Sequence, residues 1–323
     1  MGSKKKICLI AGHRYGSRLA TAICADRSQY HFVAAFVLHP RNMARYGGYE
    51  SPLGVLHKND IPVYFFDNIA QISPELVKNV LNPDITFVCG LRQLIPHDLI
   101  QVFSNSGDKQ QEPFSNSGGL VCFHPSKLPA GRGLSPIQWT IFNDESVGAV
   151  SAFFVDYADV DSGPIITTKK FNLVHPYDAT ILDNLIGEKI EEIFYDIIQS
   201  VIDSSIYFAR QDADENKIAT QLNNYDKWID LDSDSIGDIH RKVMAFSKPY
   251  AGVFALIHDF PINIFKAHIS CQNINDFQQN KVIINNKNIL YRCRDGNLEI
   301  TEYNFLCDNG LERLYEKCYA HTF

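Results

Sequence analysis

Lys6-Ile7-Cys8-Leu9-Ile10-Ala11, running directly into Gly12-His13-Arg14-Tyr15-Gly16, is the stretch that decides the fold of this chain of 323 residues. A short unbroken apolar run stopped by glycine marks a strand buried on both faces, because a parallel sheet covered by helices needs no alternation. The lysine-rich lead Lys4-Lys5-Lys6 imitates a secretory leader. The apolar part is too short for one and Gly12-His13-Arg14 interrupts it, so a first strand is expected. Outward from it, Phe32 to Leu38, Pro62 to Phe66 and Ile85 to Cys89 repeat the pattern. Arg18 to Arg27 and Ser73 to Leu81 read as helices between them, the second opening on Ser73-Pro74-Glu75. This alternation predicts an α/β fold with a Rossmann-like, doubly wound, mostly parallel sheet. The turn Gly12 to Gly16 lacks the three-glycine dinucleotide signature, so no NAD or FAD site is read there.

The composition is that of a globular protein, with 45% hydrophobic and 21% charged residues. A formal net charge of -7 argues against non-specific nucleic-acid binding, which requires a basic face. The eight cysteines form no Cys-x-x-Cys pair, and Cys8, Cys24 and Cys89 lie in apolar runs. That spacing fits neither a zinc site nor a disulfide framework, and it points to a reducing, cytoplasmic setting. No apolar run approaches the roughly 18 residues that cross a bilayer.

Beyond the first strands the character changes twice. Phe103-Ser104-Asn105-Ser106-Gly107 recurs as Phe114-Ser115-Asn116-Ser117-Gly118, with polar Asp108 to Pro113 between, and reads as a lengthened loop. Asp178 to Ile202 carries the longest helical pattern, and polar Arg210 to Asn224 then reads as a linker. Past it come a short helix, Ser235 to Phe246, and strands at Val253 to Ile257, Lys281 to Ile284, Ile289 to Cys293 and Leu298 to Tyr303. The expected domains are therefore a catalytic domain over 1–209 and a smaller β-rich domain over 210–323.

The chemistry lies between these parts. Gly119 to Phe123 is an apolar run that ends in His124-Pro125, and Ala149 to Val155 ends in a loop holding Asp156, Asp159 and Asp161. Open α/β sheets place their sites at strand ends. On its residues alone, His124 reads as a general base, a metal ligand or a structural histidine. No second close histidine supports a metal. Asp161 before Ser162-Gly163 supplies a carboxylate that orients a histidine and supports its charged form. The same loop also reads as a solvated turn with Asx-type bonds.

Cys122-Phe123-His124-Pro125-Ser126-Lys127-Leu128-Pro129, then Arg132-Gly133, Pro136-Ile137 and Asp161-Ser162-Gly163, resemble the folate-dependent formyltransferases. Their hallmark is Asn-x-His-Pro-Ser-x-Leu-Pro, then Arg-Gly, Pro-Ile and Asp-x-Gly. Gly90-Leu91-Arg92-Gln93-Leu94-Ile95 is similar to the family segment that holds the pterin. Lys248-Pro249-Tyr250-Ala251-Gly252-Val253-Phe254 is similar to its C-terminal Pro-Tyr-Pro-Gly-Ala-Phe element. The resemblance spans nearly the whole chain.

It implies that an amine attacks the formyl carbon of N10-formyltetrahydrofolate. His124 takes the amine proton and Asp161 orients His124. Gly90, Leu91, Arg92, Leu94, Ile95 and the loop from Asp156 to Asp161 hold the cofactor. Arg132 either meets a phosphate or carboxylate of the substrate or ties down its own loop. One departure stands out, because Cys122 occupies the position of the family asparagine, whose amide donates to the formyl oxygen. A thiol is a weak donor, and Cys122 is also weighed as a nucleophile. From Arg210 onward there are 13 Lys+Arg against 16 Asp+Glu, a net of −3 that argues against a tRNA acceptor. The resemblance therefore points to a nucleotide-linked amino sugar as acceptor, with a homodimer as family habit, no metal, no nucleic acid and no membrane. The alternatives are an amino acid such as hydroxyornithine as acceptor, a formyltetrahydrofolate hydrolase, and a silent folate-binding protein that lost its asparagine.

Overall fold

In the computed structural model, which describes residues 4–45, 48–104, 112–211, 218–220, 222–223, 225–271 and 282–319, the apolar runs become the strands of two main sheets. The first elements are β1 (Lys5–Ala11), α1 (Arg14–Ala25), β2 (Tyr30–Leu38), α2 (Leu53–Lys58), β3 (Val63–Phe66), β4 (Ile85–Cys89) and α3 (His97–Phe103). Next come β5 (Phe114–Ser115), β6 (Gly118–His124), β7 (Arg132–Gly133), α4 (Pro136–Phe142), β8 (Val147–Phe154), β9 (Ile165–Asn172), α5 (Ala179–Ile202) and β10 (Ile218–Ala219). The remainder is α6 (Ile236–Phe246), β11 (Val253–Ile257), β12 (Phe260–Ser270), β13 (Val282–Asn285), β14 (Asn288–Arg292), β15 (Asn297–Phe305) and α7 (Gly310–Tyr319).

Two compact units result. The first comprises Met1–Pro136, Ser146–Leu173 and Asp183–Thr220, and the second Ile137–Glu145, Val174–Leu182 and Gln221–Phe323. In the first, the strand order is β3-β2-β1-β4-β6-β8-β9, with β5 folded back on β6. The strands from β3 to β6 run parallel, and the order reverses between β1 and β4. That is the doubly wound arrangement expected. Every residue of β4 is buried, as are Ile7 to Ala11 of β1. One apolar cluster on the sheet gathers Cys8, Ile10, Phe36, Val88, Leu99, Phe103 and Leu120. Beneath α1, the fully buried Asp183 receives the Tyr15 hydroxyl and pairs with Arg14. Burial pushes its carboxyl up, against the pull of Tyr15 and Arg14.

The second unit is an antiparallel sheet in the order β11-β12-β15-β14-β13. Ser235 caps α6 by accepting the Asp238 N–H, and Ile239, Val243 and Phe246 are its buried face. That face recurs every three to four residues, as a helix on a sheet requires.

Several expectations change. The first helix begins at Arg14 rather than Arg18, because Tyr15, Leu19 and Ile23 already share its buried face. The Ser73-Pro74-Glu75 segment leads into a wide helical turn over Leu76–Leu81, closed by an Asn82 N–H to Val77 O bond and left-handed Asn82. Of the repeated pentapeptide, Phe103 of the first copy ends α3, and the second copy forms β5 and the turn into β6. Asn105 to Gln111 lie outside the described residues, and with them the middle of the lengthened loop. Two long strands, β9 and β12, are additional to those read from sequence, as are the two-residue strands β5, β7 and β10.

Candidate active site

β6 brings Cys122 and His124 to one face, since residues two apart on a strand share a side. His124 is 7% exposed. Its Nε2 lies 2.8 Å from the Gly131 carbonyl and its Nδ1 3.4 Å from Asp161 Oδ2. A carbonyl only accepts, so Nε2 carries a proton. The neutral ring then donates to Gly131 alone. A ring that has taken up a second proton donates to Gly131 and Asp161 together. The pair is thus arranged to receive a proton at Nδ1 and to hold it. A distance of 3.4 Å is long for a hydrogen bond, and catalytic contacts of this kind tighten when substrate is present.

The sequence places Asp161 at the end of a strand beside β6, and the register shows how it reaches His124. β8 runs antiparallel to β6, so Phe154 at its end pairs with Val121 while Ser151 pairs with His124. The connection after β8 must double back, and it does so through Gly163. A Cβ at Gly163 would stand 1.7 Å from the Phe154 carbonyl, so no side chain fits there. Asp161 itself is left-handed at φ 53, a conformation that costs a non-glycine residue on the order of 1–3 kcal/mol unless its surroundings hold it. Two contacts do so. The Gly133 N–H donates to Asp161 Oδ2 at 3.0 Å, and the Gln211 amide donates to the Asp161 carbonyl at 2.8 Å.

The turn that follows His124 is held from below by Ser151, which is fully buried. Its hydroxyl accepts from Leu128 N–H at 3.2 Å and donates to Ser126 O at 2.8 Å. Ser151 and Gln211 are absent from the sequence reading. Ser151 is marked only as a polar residue within an apolar run. Gln211 carries no local signal, because its partners lie 79, 50 and 48 residues away.

Arg132 carries two readings from the sequence, a contact to the substrate and a tie for its own loop. It is 4% exposed, and its Nε and a terminal nitrogen donate to Gln211 Oε1 at 2.9 and 2.5 Å. Its geometry is that of the loop-tying role. The segment from Gly90 to Ile95, similar to the family stretch that holds the pterin, divides in two. Leu91 and Ile95, like Cys122 and Val155, are partly buried and pack against the apolar cluster. Leu94 is 77% exposed and Arg92 is exposed. Gly90 is left-handed at φ 71, and a Cβ there would strike His13. Asp156 accepts from Ala158 N–H and the Ser162 hydroxyl, and Asp159 from Val160 N–H. Those carboxylates shape their own loop.

The surroundings of Cys122 disfavour a nucleophilic role. Burial pushes its thiol up, and the Asp161 carboxylate adds to the effect. A thiolate is required for attack, so the thiol at Cys122 is inert near neutral pH. Brief iodoacetamide treatment of the folded protein at pH 8 is expected to label exposed Cys271 and spare Cys122, as read by peptide mass mapping. Early labelling of Cys122 would contradict this. Among the described residues, no group of three His, Cys, Asp or Glu side chains is placed to hold a metal ion, and no helix is long and apolar enough to cross a membrane.

With this geometry in hand, comparison with known proteins is informative. The family model described as "Formyl transferase" matches residues 5–198, and "Formyl transferase, C-terminal domain" matches residues 221–310. A methionyl-tRNA formyltransferase of Orientia tsutsugamushi is 27% identical over 285 residues, 84% of either chain. HypX from Aquifex aeolicus, crystallised in complex with tetrahydrofolic acid, superposes with a TM-score of 0.66 at 15% identity. That alignment covers 99% of this chain but only 48% of HypX, so the chain spans about half the length of the HypX structures it matches. An N-formyltransferase from Helicobacter canadensis, in complex with folinic acid and dTDP-3-aminofucose, gives a TM-score of 0.63 at 17% identity, covering 93% of this chain and 100% of that one. At these identities, the likeness to solved structures is one of fold.

Proposed function

The chain belongs to the formyl transferase family and is a formyl-transferring enzyme whose one-carbon donor is N10-formyltetrahydrofolate, and from that premise we propose that its acceptor is the primary amine of a nucleotide-linked amino sugar. The observation that carries the reading is the buried His124–Asp161 pair beside Cys122 on β6. When bound, the folate supplies an activated formyl carbon. The side chains of Leu91, Ile95, Cys122 and Val155 would hold its ring, with the main chain of the Asp156–Asp161 loop at the ring's edge. These residues fit such a group, since the side chains are apolar and the loop brings polar main-chain atoms.

His124 then acts on the amine. It accepts a proton at Nδ1, and Gly131 O and Asp161 hold the doubly protonated ring. Asp161 orients the ring and supports its charge, with its own carboxylate pinned by Gly133 N–H. Cys122 stays protonated and offers an S–H where negative charge develops on the formyl oxygen. An S–H is a weaker donor than an amide N–H, and one good donor at such a position is worth roughly 10²–10³-fold in rate. Cys122→Asn is therefore expected to raise kcat about tenfold or more with KM little changed. An unchanged or lower kcat in the folded variant would mean that another group holds the oxygen.

The choice of acceptor is supported by the net charge of −3 from Arg210 onward, since a tRNA-gripping domain is basic. The sugar nucleotide bound by the Helicobacter canadensis protein of like fold supports it too. The methionyl-tRNA formyltransferase relatives favour the competing reading. A competition assay separates the two. Purified protein and N10-formyltetrahydrofolate are given methionyl-tRNA, hydroxyornithine and a panel of nucleotide-linked amino sugars including dTDP-3-aminofucose. The expected product is one formylated amino sugar, found by mass and absent with His124→Ala. Formyl-methionyl-tRNA as the main product would overturn the proposal.

A further inference from the structure

Gln211 belongs to the polar stretch after α5, yet its side chain makes four hydrogen bonds. Its Oε1 accepts from two nitrogens of Arg132, at 2.9 and 2.5 Å. Its Nε2 donates to the carbonyls of Asp161 and Gly163, at 2.8 and 2.7 Å. The orientation of the amide is unambiguous, because Arg132 only donates and the two carbonyls only accept. The backbone around Gln211 is anchored as well. Ala209 exchanges both main-chain hydrogen bonds with Ile165, and β10 pairs in parallel with β7, which is Arg132–Gly133.

Each bond reaches a group that the proposed reaction uses. Arg132 leads into Gly133, whose N–H holds the Asp161 carboxylate, and follows Gly131, whose carbonyl holds His124. The two carbonyls flank Ser162 on the Asp161 loop. Within the loop, the Ser162 hydroxyl is turned to Asp156 and to the Asp159 carbonyl rather than to the Asp161 carbonyl. We propose that Gln211 is a positioning residue: its amide joins the turn after His124 to the Asp161 loop and sets the Asp161 carboxylate against His124. The inference rests on the formyl-transfer reading for its kinetic consequence, but not for its geometry.

Gln211→Glu is the discriminating variant. It keeps the shape and an acceptor for Arg132, and so the link that ties the fold. It loses both N–H donors to the Asp161 loop. In Gln211→Glu, kcat is expected to fall about 10–100-fold while KM for donor and acceptor stays within about threefold. Added to Asp161→Asn, it should lower kcat by less than about threefold more, because both changes act through one carboxylate. The ring nitrogen-15 shifts of His124 should change at Nδ1 in the same sense in Gln211→Glu and Asp161→Asn. A fully multiplicative loss in the double variant, or an Nδ1 signal that Gln211→Glu leaves in place, would overturn the proposal. Should the wild type transfer no formyl group to any amine, the functional reading fails, and the His124 signal still decides whether Gln211 holds Asp161.

Discussion

Replacement of His124 by alanine is expected to lower formyl transfer by about 10²–10⁴-fold, the range over which a positioned proton acceptor contributes. The loss should fall on kcat, because the ring takes the amine proton only as the bond to the formyl carbon forms. KM for the folate should change little, since Leu91, Ile95 and Val155 are untouched. The fold should survive. His124 meets a carbonyl and a carboxylate at the end of β6, whereas the core lies in the cluster that Cys122 packs against. Thermal unfolding alongside steady-state kinetics checks both halves, and an equal loss of melting temperature and activity would reassign His124 to a structural role.

Asp161→Asn is the second large effect, with an expected loss of about 10²–10³-fold. The asparagine can still accept from Gly133 N–H, so the loop keeps its shape. What disappears is the negative charge 3.4 Å from Nδ1. Without it the protonated ring loses its counter-charge, and an amide NH₂ turned toward Nδ1 would tie up the lone pair that takes the proton. Because His124 and Asp161 act as one unit, Asp161→Asn in the His124→Ala background should add less than about threefold. Independent, multiplicative losses would mean that Asp161 acts on the substrate directly.

Much of this architecture is legible in the chain. The runs Ile7 to Ala11, Phe32 to Leu38 and Ile85 to Cys89 are long enough and apolar enough to be nothing but buried strands, and they set the doubly wound order. The elements that escape reading do so for physical reasons. β9 is an edge strand with Thr167, Thr168, Lys169 and Lys170 in its middle, so it shows no apolar alternation. β12 alternates through Ile262 and Ile264, then loses phase at an irregularity around Lys266 that moves Ala267 to the buried side.

The site divides along the same line. His124 is visible because it closes an apolar run, and Asp161 because it precedes Ser162-Gly163 in the acidic loop that follows one. The route from β8 back to His124 is not, because strand direction is a property of the sheet rather than of the segment. Arg132 and Gln211 show the limit most clearly: each is an ordinary polar residue until the fold sets one beside the other. Burial then turns an arginine that resembles a substrate anchor into a support for its own turn.

The most direct test of the account is to follow the formyl carbon itself. The protein is mixed with carbon-13-labelled N10-formyltetrahydrofolate and the nucleotide-linked amino sugar selected by the competition assay, and the label is traced by NMR. The account predicts that the label arrives at an amide carbon on the sugar nitrogen, at a rate that collapses in His124→Ala and Asp161→Asn. Label appearing as free formate, or label that stays on the folate while the folate is bound, would contradict it.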